Sequence, residues 1–231
     1  MSSEWSGRLW LGPDYGLILG IPGRTAPHAH YAHQLMFSPG GPITASLDGR
    51  VITAHRLFIP SRMPHAILHA DGEVLMVYAE PGAFDLDLLQ AALTDSELSL
   101  EAFERTLRQL PRRALDDARV ERALLALDQQ LSGKVSAHAL AQAAHVSLSQ
   151  LERLFANQLG LPVRRLVLWR RLRVALGLAL GGSTLTEAAH GAGFADSAHF
   201  SRTMKQLFGV TAGASLRKLQ LTLLPLMTRA S

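Results

Sequence analysis

The chain carries an internal repeat in its C-terminal half. The first copy contains Leu140-Ala141, Val146-Ser147, Leu151, Arg153, Phe155 and Gly160, and the second contains Ala188-Ala189, Phe194, Asp196, Arg202, Met204 and Gly209. Ala141 and Ala189 lie 48 residues apart, whereas after the turn the copies are offset by 49 residues. One extra residue in the second copy explains the difference. A chain with such a repeat is expected to fold the same supersecondary unit twice.

Each copy predicts two helices joined by a tight turn. Alanines at the equivalent positions Ala141 and Ala189 let the two helices cross closely. Ser147 and Asp196 can cap the second helix by accepting hydrogen bonds from its first backbone N–H groups. Both second helices end at a glycine, which adopts the left-handed conformation without strain; these are Gly160 and Gly209. A helix-turn-helix of this kind can place its second helix in the major groove of DNA.

The segment between the two copies predicts a single long helix. Pro162 suits a helix start, and Val163–Leu180 contains few helix breakers apart from Gly177. Eighteen to twenty helical residues rise roughly 27–30 Å, whereas one turn of B-DNA is about 34 Å. A linker helix of this length could hold two recognition helices in successive major grooves on one face of a duplex.

The distribution of charge favours a nucleic-acid partner for the second half. Residues 1–110 hold 7 Lys and Arg against 12 Asp and Glu, a net charge of −5, and residues 111–231 hold 16 against 7, a net charge of +9. There are no cysteines, which excludes disulfides, thiol nucleophiles and cysteine-ligated metals. Because no apolar run reaches the ~18 residues of a membrane span, we expect a soluble, cytoplasmic protein without a membrane partner.

The first 80 residues predict short strands, and the residues after them predict helices. The strand candidates, separated by turn-forming residues, are Tyr15–Ile21, Gln34–Phe37, Ile43–Leu47, Arg56–Ile59, Ala66–His69 and Val74–Ala79. Short, evenly spaced strands favour a small β-barrel or sandwich. From Phe84 onward apolar residues recur at helical spacing, and Pro111 separates one predicted helix from the next. The apolar faces of these helices must bury against the barrel, each other or a second subunit.

Residues 136–218 resemble the DNA-binding domain of the AraC family of bacterial transcription regulators. The matching residues are Leu140-Ala141, Val146-Ser147, Leu151, Arg153, Phe155, Gly160, Arg171-Leu172, Ala175, Leu178, Glu187-Ala188-Ala189, Gly193-Phe194, Asp196, His199-Phe200-Ser201-Arg202, Lys205 and Phe208-Gly209. Two positions depart from the family pattern, since Ala212 replaces a usual proline and Met204 a usual phenylalanine. The resemblance implies two helix-turn-helix subdomains, joined by a linker helix, that bind a promoter and change transcription.

The resemblance also assigns DNA contacts by position. The residues expected to read base edges are Ser149, Glu152 and Arg153 on the first recognition helix and Ser197, Ala198, Ser201 and Arg202 on the second. Positive charge, rather than the resemblance, indicates the residues expected to contact phosphates, which are Arg164, Arg165, Arg170, Arg171 and Lys205.

Six of the ten histidines lie in residues 28–69. His28 and His30 are two residues apart, so on a strand they point to one face. Together with Gln34 and His65 they resemble the two short motifs of cupin barrels, in which such residues can hold a divalent metal. Arg62 stands where the second motif usually has glycine. The resemblance implies a site for Zn, Ni, Fe or Mn; a metal-free small-molecule pocket and a purely structural or dimerising barrel are the alternatives.

We therefore expect an α+β chain with a small cupin-like β-barrel followed by an all-α domain with two helix-turn-helix units. The predicted parts are a sensor or dimerisation domain at 1–82, a helical connector at 83–132 and a DNA-binding domain at 133–220. We expect a transcriptional regulator rather than an enzyme, with double-stranded DNA as its partner. RNA polymerase, a small-molecule effector and a second copy of the chain are further candidate partners. The alternatives are a metal-dependent cupin enzyme with a helical extension and an interaction protein that does not contact DNA.

Overall fold

The computed structural model describes residues 5–216 and 219–223, so residues 217 and 218 of the predicted DNA-binding domain lie outside the described residues. Tertiary contacts divide the chain into two compact units, residues 1–112 with 204–231 and residues 113–203. None of the helices in the described ranges is long and apolar enough to cross a membrane. The architecture is mixed α and β, as expected, and the division into three parts stays a prediction.

The first unit contains two β-sheets. The strands are β1 (Ser6–Leu11), β2 (Tyr15–Ile21), β3 (His33–Phe37), β4 (Ile43–Leu47), β5 (Arg50–Ala54), β6 (Arg56–Ile59), β7 (His65–Ala70), β8 (Val74–Ala79) and β9 (Leu219–Leu223). One sheet has the strand order β6-β3-β8-β2-β1-β9 and the other the order β5-β4-β7. Paired strands are antiparallel except for β1 and β9, which are parallel. The expected closed barrel is not formed, because the described strands make two separate sheets.

The structure confirms the six predicted strands and adds β1, β5 and β9. Strand β8 lies between β2 and β3, and every one of its residues is buried, which explains its continuous apolar sequence. Strand β5 is an exposed edge strand without a buried face. In the β1·β2 pair, Gly7 faces Gly20. A Cβ atom on Gly20 would lie 2.0 Å from the Ser6 carbonyl oxygen, so the two strands approach closely only because these residues are glycines.

Two helices of the first unit pack on its six-stranded sheet. These are α1 (Leu86–Thr94), which is capped by Asp85, and α2 (Leu100–Gln109), which is capped by Ser99. Their buried residues join those of β2, β3 and β8 in one core, where the rings of Phe37 and Phe103 meet edge to face at 4.9 Å. The apolar face of α2 is therefore buried within the same chain.

Arg112 fastens the end of α2 to the loop before β2. Its guanidinium donates hydrogen bonds to the carboxylate of Asp14, at 2.7 and 3.2 Å, and to the carbonyl oxygens of Leu107 and Leu110. The same group lies 4.2 Å from the centre of the Phe84 ring. Planar, charge-assisted contacts of this kind are among the stronger polar interactions in proteins.

The second unit is helical in its described residues. Its helices are α3 (Ala118–Gln130), α4 (Ala137–Ala143), α5 (Leu148–Leu159), α6 (Val163–Leu180) and α7 (Leu185–Gly191). Helix α8 (Ser197–Phe208) begins in the second unit, whereas its residues from Met204 onward and all of α9 (Ala212–Ser215) belong to the first unit. Helix α6 has the bounds of the predicted linker helix, with Pro162 as its N-cap. It buries six side chains: Val163, Leu166, Val167, Trp169, Leu172 and Ala175.

We predict that Arg112→Ala lowers the free energy of unfolding by roughly 1–3 kcal/mol, because it removes charge-assisted hydrogen bonds and leaves carbonyl groups without their donor. Urea denaturation followed by circular dichroism measures this change. Arg113→Ala is the matched control, since Arg113 is the exposed neighbouring arginine. Equal stability of the two variants would contradict the role given to Arg112.

Candidate functional site

The first turn of the repeat is closed by backbone hydrogen bonds. The N–H of Val146 donates to the carbonyl of Ala141 at 2.9 Å, and the N–H of His145 donates to the carbonyl of Gln142 at 3.0 Å. His145, just before the donor, has a φ of 56°, in the left-handed region. Ala141 and Ala144 are buried, so α4 and α5 meet over small side chains.

The second turn is built in the same way. The N–H of Phe194 donates to the carbonyl of Ala189 at 2.9 Å, and the preceding residue, Gly193, has a φ of 79°. The left-handed residue and the donor stand at the same positions in both copies, four and five residues after the alanine. The extra residue of the second copy is therefore Ala195, between the closing bond and the helix cap.

Both recognition helices have the predicted caps. The side chain of Ser147 accepts from the backbone N–H of Gln150, and the backbone N–H of Ser147 donates to the side-chain oxygen of Gln150. In the second copy a carboxylate oxygen of Asp196 accepts from the N–H of His199 at 2.5 Å. The helices end at left-handed glycines, Gly160 with φ 73° and Gly209 with φ 69°. The caps and the terminating glycines of the sequence prediction are confirmed.

These two motifs also match known proteins. Residues 140–218 match the helix-turn-helix domain family. The chain carries an AraC-type helix-turn-helix domain. It is 31% identical over 126 residues to the "Probable transcriptional regulator LumQ" of Photobacterium leiognathi, a match that covers 51% of each chain. The chain thus spans about half the length of the curated relative it matches.

Solved structures share the fold over most of the chain. An apo variant of ToxT from Vibrio cholerae superposes with a TM-score of 0.59 and 10% identity, over 87% of this chain and 96% of that one. Wild-type ToxT with a bound unsaturated fatty acid gives a TM-score of 0.53 and 10% identity, over 88% and 98% of the two chains. The fold around the AraC-type domain is therefore also similar to a solved fold.

The predicted base-reading residues of the AraC-type domain differ in exposure. On α5, Leu151 and Phe155 are buried, whereas Ser149 and Arg153 are exposed. Glu152 is partly buried and accepts a hydrogen bond from the N–H of Val163, at the start of α6. On α8, Phe200 and Met204 are buried, so the exchange at Met204 is accommodated in the core. The other predicted readers of α8 are exposed or partly exposed: Ser197, Ala198, Ser201 and Arg202.

The basic residues of the AraC-type domain fall into two groups. Arg164, Arg165 and Lys205 are exposed. Arg170 forms an ion pair with Asp128 on α3. Arg171 donates to the carbonyl oxygens of Leu131 and Gly133, and burial lowers the pKa of its guanidinium below the usual value. The predicted phosphate contacts of Arg170 and Arg171 stay predictions, but the structure gives both side chains partners within their own unit.

Arg171 also lies against the turn of the second copy. A Cβ atom on Gly193 would lie 2.9 Å from Nε of Arg171 and 2.6 Å from the carbonyl oxygen of Leu131. The residues after α3, the α6 helix and the α7–α8 turn therefore meet at one guanidinium. Nothing in the sequence distinguishes this arginine from the exposed arginines of the same helix.

A second candidate site lies in the first unit, outside the AraC-type domain. His28, His30 and His65 are buried, and a ring nitrogen of each lies within 4.8 Å of one from each of the others. His28 and His65 exchange two backbone hydrogen bonds of 2.9 Å, which sets their rings side by side with centres 4.1 Å apart. Gln34, from β3, directs its amide oxygen to within 3.0 Å of Nε2 of His30 and of His65. The structure thus brings together the four residues predicted from the cupin-like motifs.

Burial determines the charge of this histidine cluster. It lowers the pKa of His30 to about 3 and that of His28 to about 4, and it also lowers the pKa of His65. The neutral imidazole is therefore the form present at neutral pH.

Arg62, at the position where the cupin-like resemblance expects glycine, adopts a backbone conformation that favours glycine. Its φ is 64°, in the left-handed region, and its N–H donates to the carbonyl of His30 at 2.8 Å. An arginine in the left-handed region carries some local strain.

We predict opposite effects for two substitutions in the equivalent turns. His145→Gly should raise the free energy of unfolding by about 0.5 kcal/mol, because relief of left-handed strain exceeds the added chain entropy. Gly193→Ala should lower it by roughly 1–3 kcal/mol, because the new Cβ atom combines that strain with two close contacts. Thermal and urea denaturation measure both. The same sign of change in both variants would contradict the turn geometry.

We further predict that Arg171→Ala lowers the free energy of unfolding by roughly 1–3 kcal/mol, since two carbonyl groups lose a charged donor. Arg164→Ala, an exposed arginine of the same helix, is the control and should leave stability within about 0.5 kcal/mol. Circular dichroism without DNA separates this structural role from any phosphate contact. If Arg171→Ala were as stable as Arg164→Ala, the structural role of Arg171 would be refuted.

Proposed function

We propose that the chain is a sequence-specific DNA-binding regulator of transcription that reads two successive major grooves with α5 and α8. The observation that carries the proposal is the shared construction of the two turns, which have the same closing bond and left-handed position and each lead to a second helix with a side-chain cap. The match of residues 140–218 to the helix-turn-helix domain family supports it. So does the relative from Photobacterium leiognathi, whose name is "Probable transcriptional regulator LumQ".

The proposed base contacts follow from exposure and side-chain chemistry. Arg153 and Arg202 are exposed, and arginine forms paired hydrogen bonds with guanine in the major groove. Ser149 can serve as donor or acceptor on α5. The second helix adds three small residues, which allow a close approach to the base edges: Ser197, Ala198 and Ser201. Glu152 can accept from the cytosine amino group, with its contact to Val163 fixing the carboxylate.

We expect the exposed basic residues to make most of the proposed phosphate contacts; these are Arg164, Arg165 and Lys205. Arg170 and Arg171 remain in the proposed set, but their main task is to hold α6 to the end of α3. Helix α6 has 18 residues, so at ~1.5 Å per residue it spans about 27 Å. That length is close to the ~34 Å repeat of B-DNA, as a pair of recognition helices on one face requires.

The first unit is proposed as the regulatory part of the chain. ToxT shares the fold at 10% identity and has been solved with a bound unsaturated fatty acid, which makes a small effector a reasonable partner here. The two sheets with their buried histidines support a cupin-like ancestry for this unit. A second copy of the chain and RNA polymerase are the remaining proposed partners. The proposed location is the cytoplasm, because that compartment holds the DNA. The comparisons give no support to the alternative of a metal-dependent cupin enzyme.

The test is selection of bound duplexes from a random library, followed by affinity measurements at two salt concentrations. We expect enriched motifs in two major-groove segments about one helical turn apart. On the selected site Arg202→Ala should cost ~1–3 kcal/mol and relax discrimination at one base pair. Arg164→Ala should weaken binding to selected and random duplexes alike and reduce the salt slope by about 1.

Arg122→Ala is the control for these variants, because Arg122 is an exposed arginine on α3, outside the repeat. It should bind the selected site as the parent chain does. Absence of any enriched motif, with only weak binding that salt abolishes, would refute sequence-specific reading. If Arg202→Ala and Arg164→Ala gave the same pattern, the division between base and phosphate contacts would be wrong.

A further inference from the structure

We propose that His28, His30 and His65, with the amide oxygen of Gln34, bind one divalent transition-metal ion, and that the ring of Phe208 closes the site. Metal binding can be measured without DNA, so it is independent of the proposed function. Only its meaning as a regulatory signal rests on that function.

The three imidazoles are oriented as metal ligands. In each of them Nδ1 lies next to a backbone carbonyl oxygen, that of Ala26 at 2.9 Å, Ala32 at 3.0 Å and Met63 at 2.8 Å for His28, His30 and His65 respectively. A carbonyl oxygen only accepts, so Nδ1 carries the proton and donates it. In the neutral ring Nε2 then presents a lone pair. Histidines that ligate a metal are held by this same outer hydrogen bond.

The potential ligand atoms converge inside the cluster. Nε2 of His30 and Nε2 of His65 each lie 3.0 Å from the amide oxygen of Gln34. With Nδ1 protonated, both Nε2 atoms present lone pairs beside that oxygen. A cation placed among the cluster can be bound by the three imidazoles and the amide oxygen together.

The dimensions and the donor set indicate the class of metal. Bonds of about 2.1 Å place two ligand atoms of one ion up to about 4.2 Å apart, so the observed limit of 4.8 Å requires only small side-chain rotations. Neutral imidazoles with one carbonyl oxygen suit Zn, Ni, Co, Fe or Cu. Magnesium and calcium prefer oxygen ligands and are not expected to bind.

The end of α8 supplies the wall of the site within the first unit. The ring of Phe208 lies 5.2 Å from that of His30 and 5.6 Å from that of Tyr78, measured between centres. The next residue, Gly209, accepts a hydrogen bond from the N–H of Ala26 at 3.0 Å. A Cβ atom on Gly209 would lie 2.8 Å from Nδ1 of His28. Phe208 therefore lies where it would exclude water from a bound ion, on the helix that carries the proposed second set of base contacts.

The test uses the full chain without an affinity tag, freed of metal by a chelator. Titration with Co²⁺ should produce visible absorption bands of a nitrogen-ligated ion at a one-to-one ratio. Zn²⁺ should displace the Co²⁺, and Mg²⁺ should not. His30→Ala and His65→Ala should each weaken Co²⁺ and Zn²⁺ binding by roughly 100-fold or more, beyond the loss typical of an outer-shell change. His28→Gln provides a third variant should either alanine variant fail to fold.

His69→Ala is the matched control, because His69 pairs with Asp71 at the surface and lies outside the cluster. This variant should bind Co²⁺ and Zn²⁺ as tightly as the parent chain does. Absence of Co²⁺ bands in the folded parent chain, or bands that persist in both alanine variants, would overturn the site.

The wall has its own test. Phe208→Ala should release Zn²⁺ to a chelator about tenfold faster, since water then reaches the ion, whereas Gln206→Ala, at an exposed position of the same helix, should not. Equal release rates in the two variants would overturn the closure by Phe208 and leave the ligand set standing. Metal binding without any selected DNA motif would instead count against the proposed function alone.

Discussion

Each helix-turn-helix depends on a chain reversal at a left-handed residue, which lets the following N–H bond back to the alanine carbonyl. Without the reversal at His145 or Gly193 the chain could not bring the N–H three residues past the first helix back to the alanine carbonyl. The bond fixes the chain reversal that leads into the second helix, and the cap then satisfies the first N–H groups of that helix. The buried alanines at 141 and 189 follow from this geometry, because any larger side chain would separate the two helices. The extra Ala195 is tolerated because it lies outside this closed loop.

The turn at Gly193 shows that some basic residues of the second half have a structural role. Gly193 lies against Arg171, whose guanidinium is held by two carbonyl oxygens. Losing water costs a cation free energy unless such acceptors replace it. Sequence alone counts Arg171 and Arg164 as equivalent phosphate partners, since both are arginines on a basic helix. Only the packing of α3 and the α7–α8 turn around α6 separates a structural arginine from an exposed one.

The sequence could predict the elements whose pattern is local, and it could not predict those that depend on distant partners. Turn residues and apolar runs predicted six of the strands. The bounds of α6 were predicted from Pro162 and from the scarcity of helix-breaking residues after it. Strand β5 has no buried face and gives no periodic signal. Strand β9 exists through pairing with β1, from the other end of the chain. Whether strands close into a barrel depends on which edges find partners, and here the described edges form two sheets.

The histidine cluster shows the same limit at a site. The spacing of His28, His30, Gln34 and His65 predicted a ligand set. The contact between Phe208 and His30 could not be predicted, because the two residues are far apart in the sequence. A purely structural unit would be more stable with apolar side chains at these positions, since buried polar groups cost free energy unless they are fully paired. Here three imidazoles are each anchored at one nitrogen, and two of them turn the other nitrogen toward a single acceptor oxygen. Such an arrangement uses its anchoring hydrogen bonds for orientation and leaves its centre electron-rich, which is the requirement of a cation site rather than of a core.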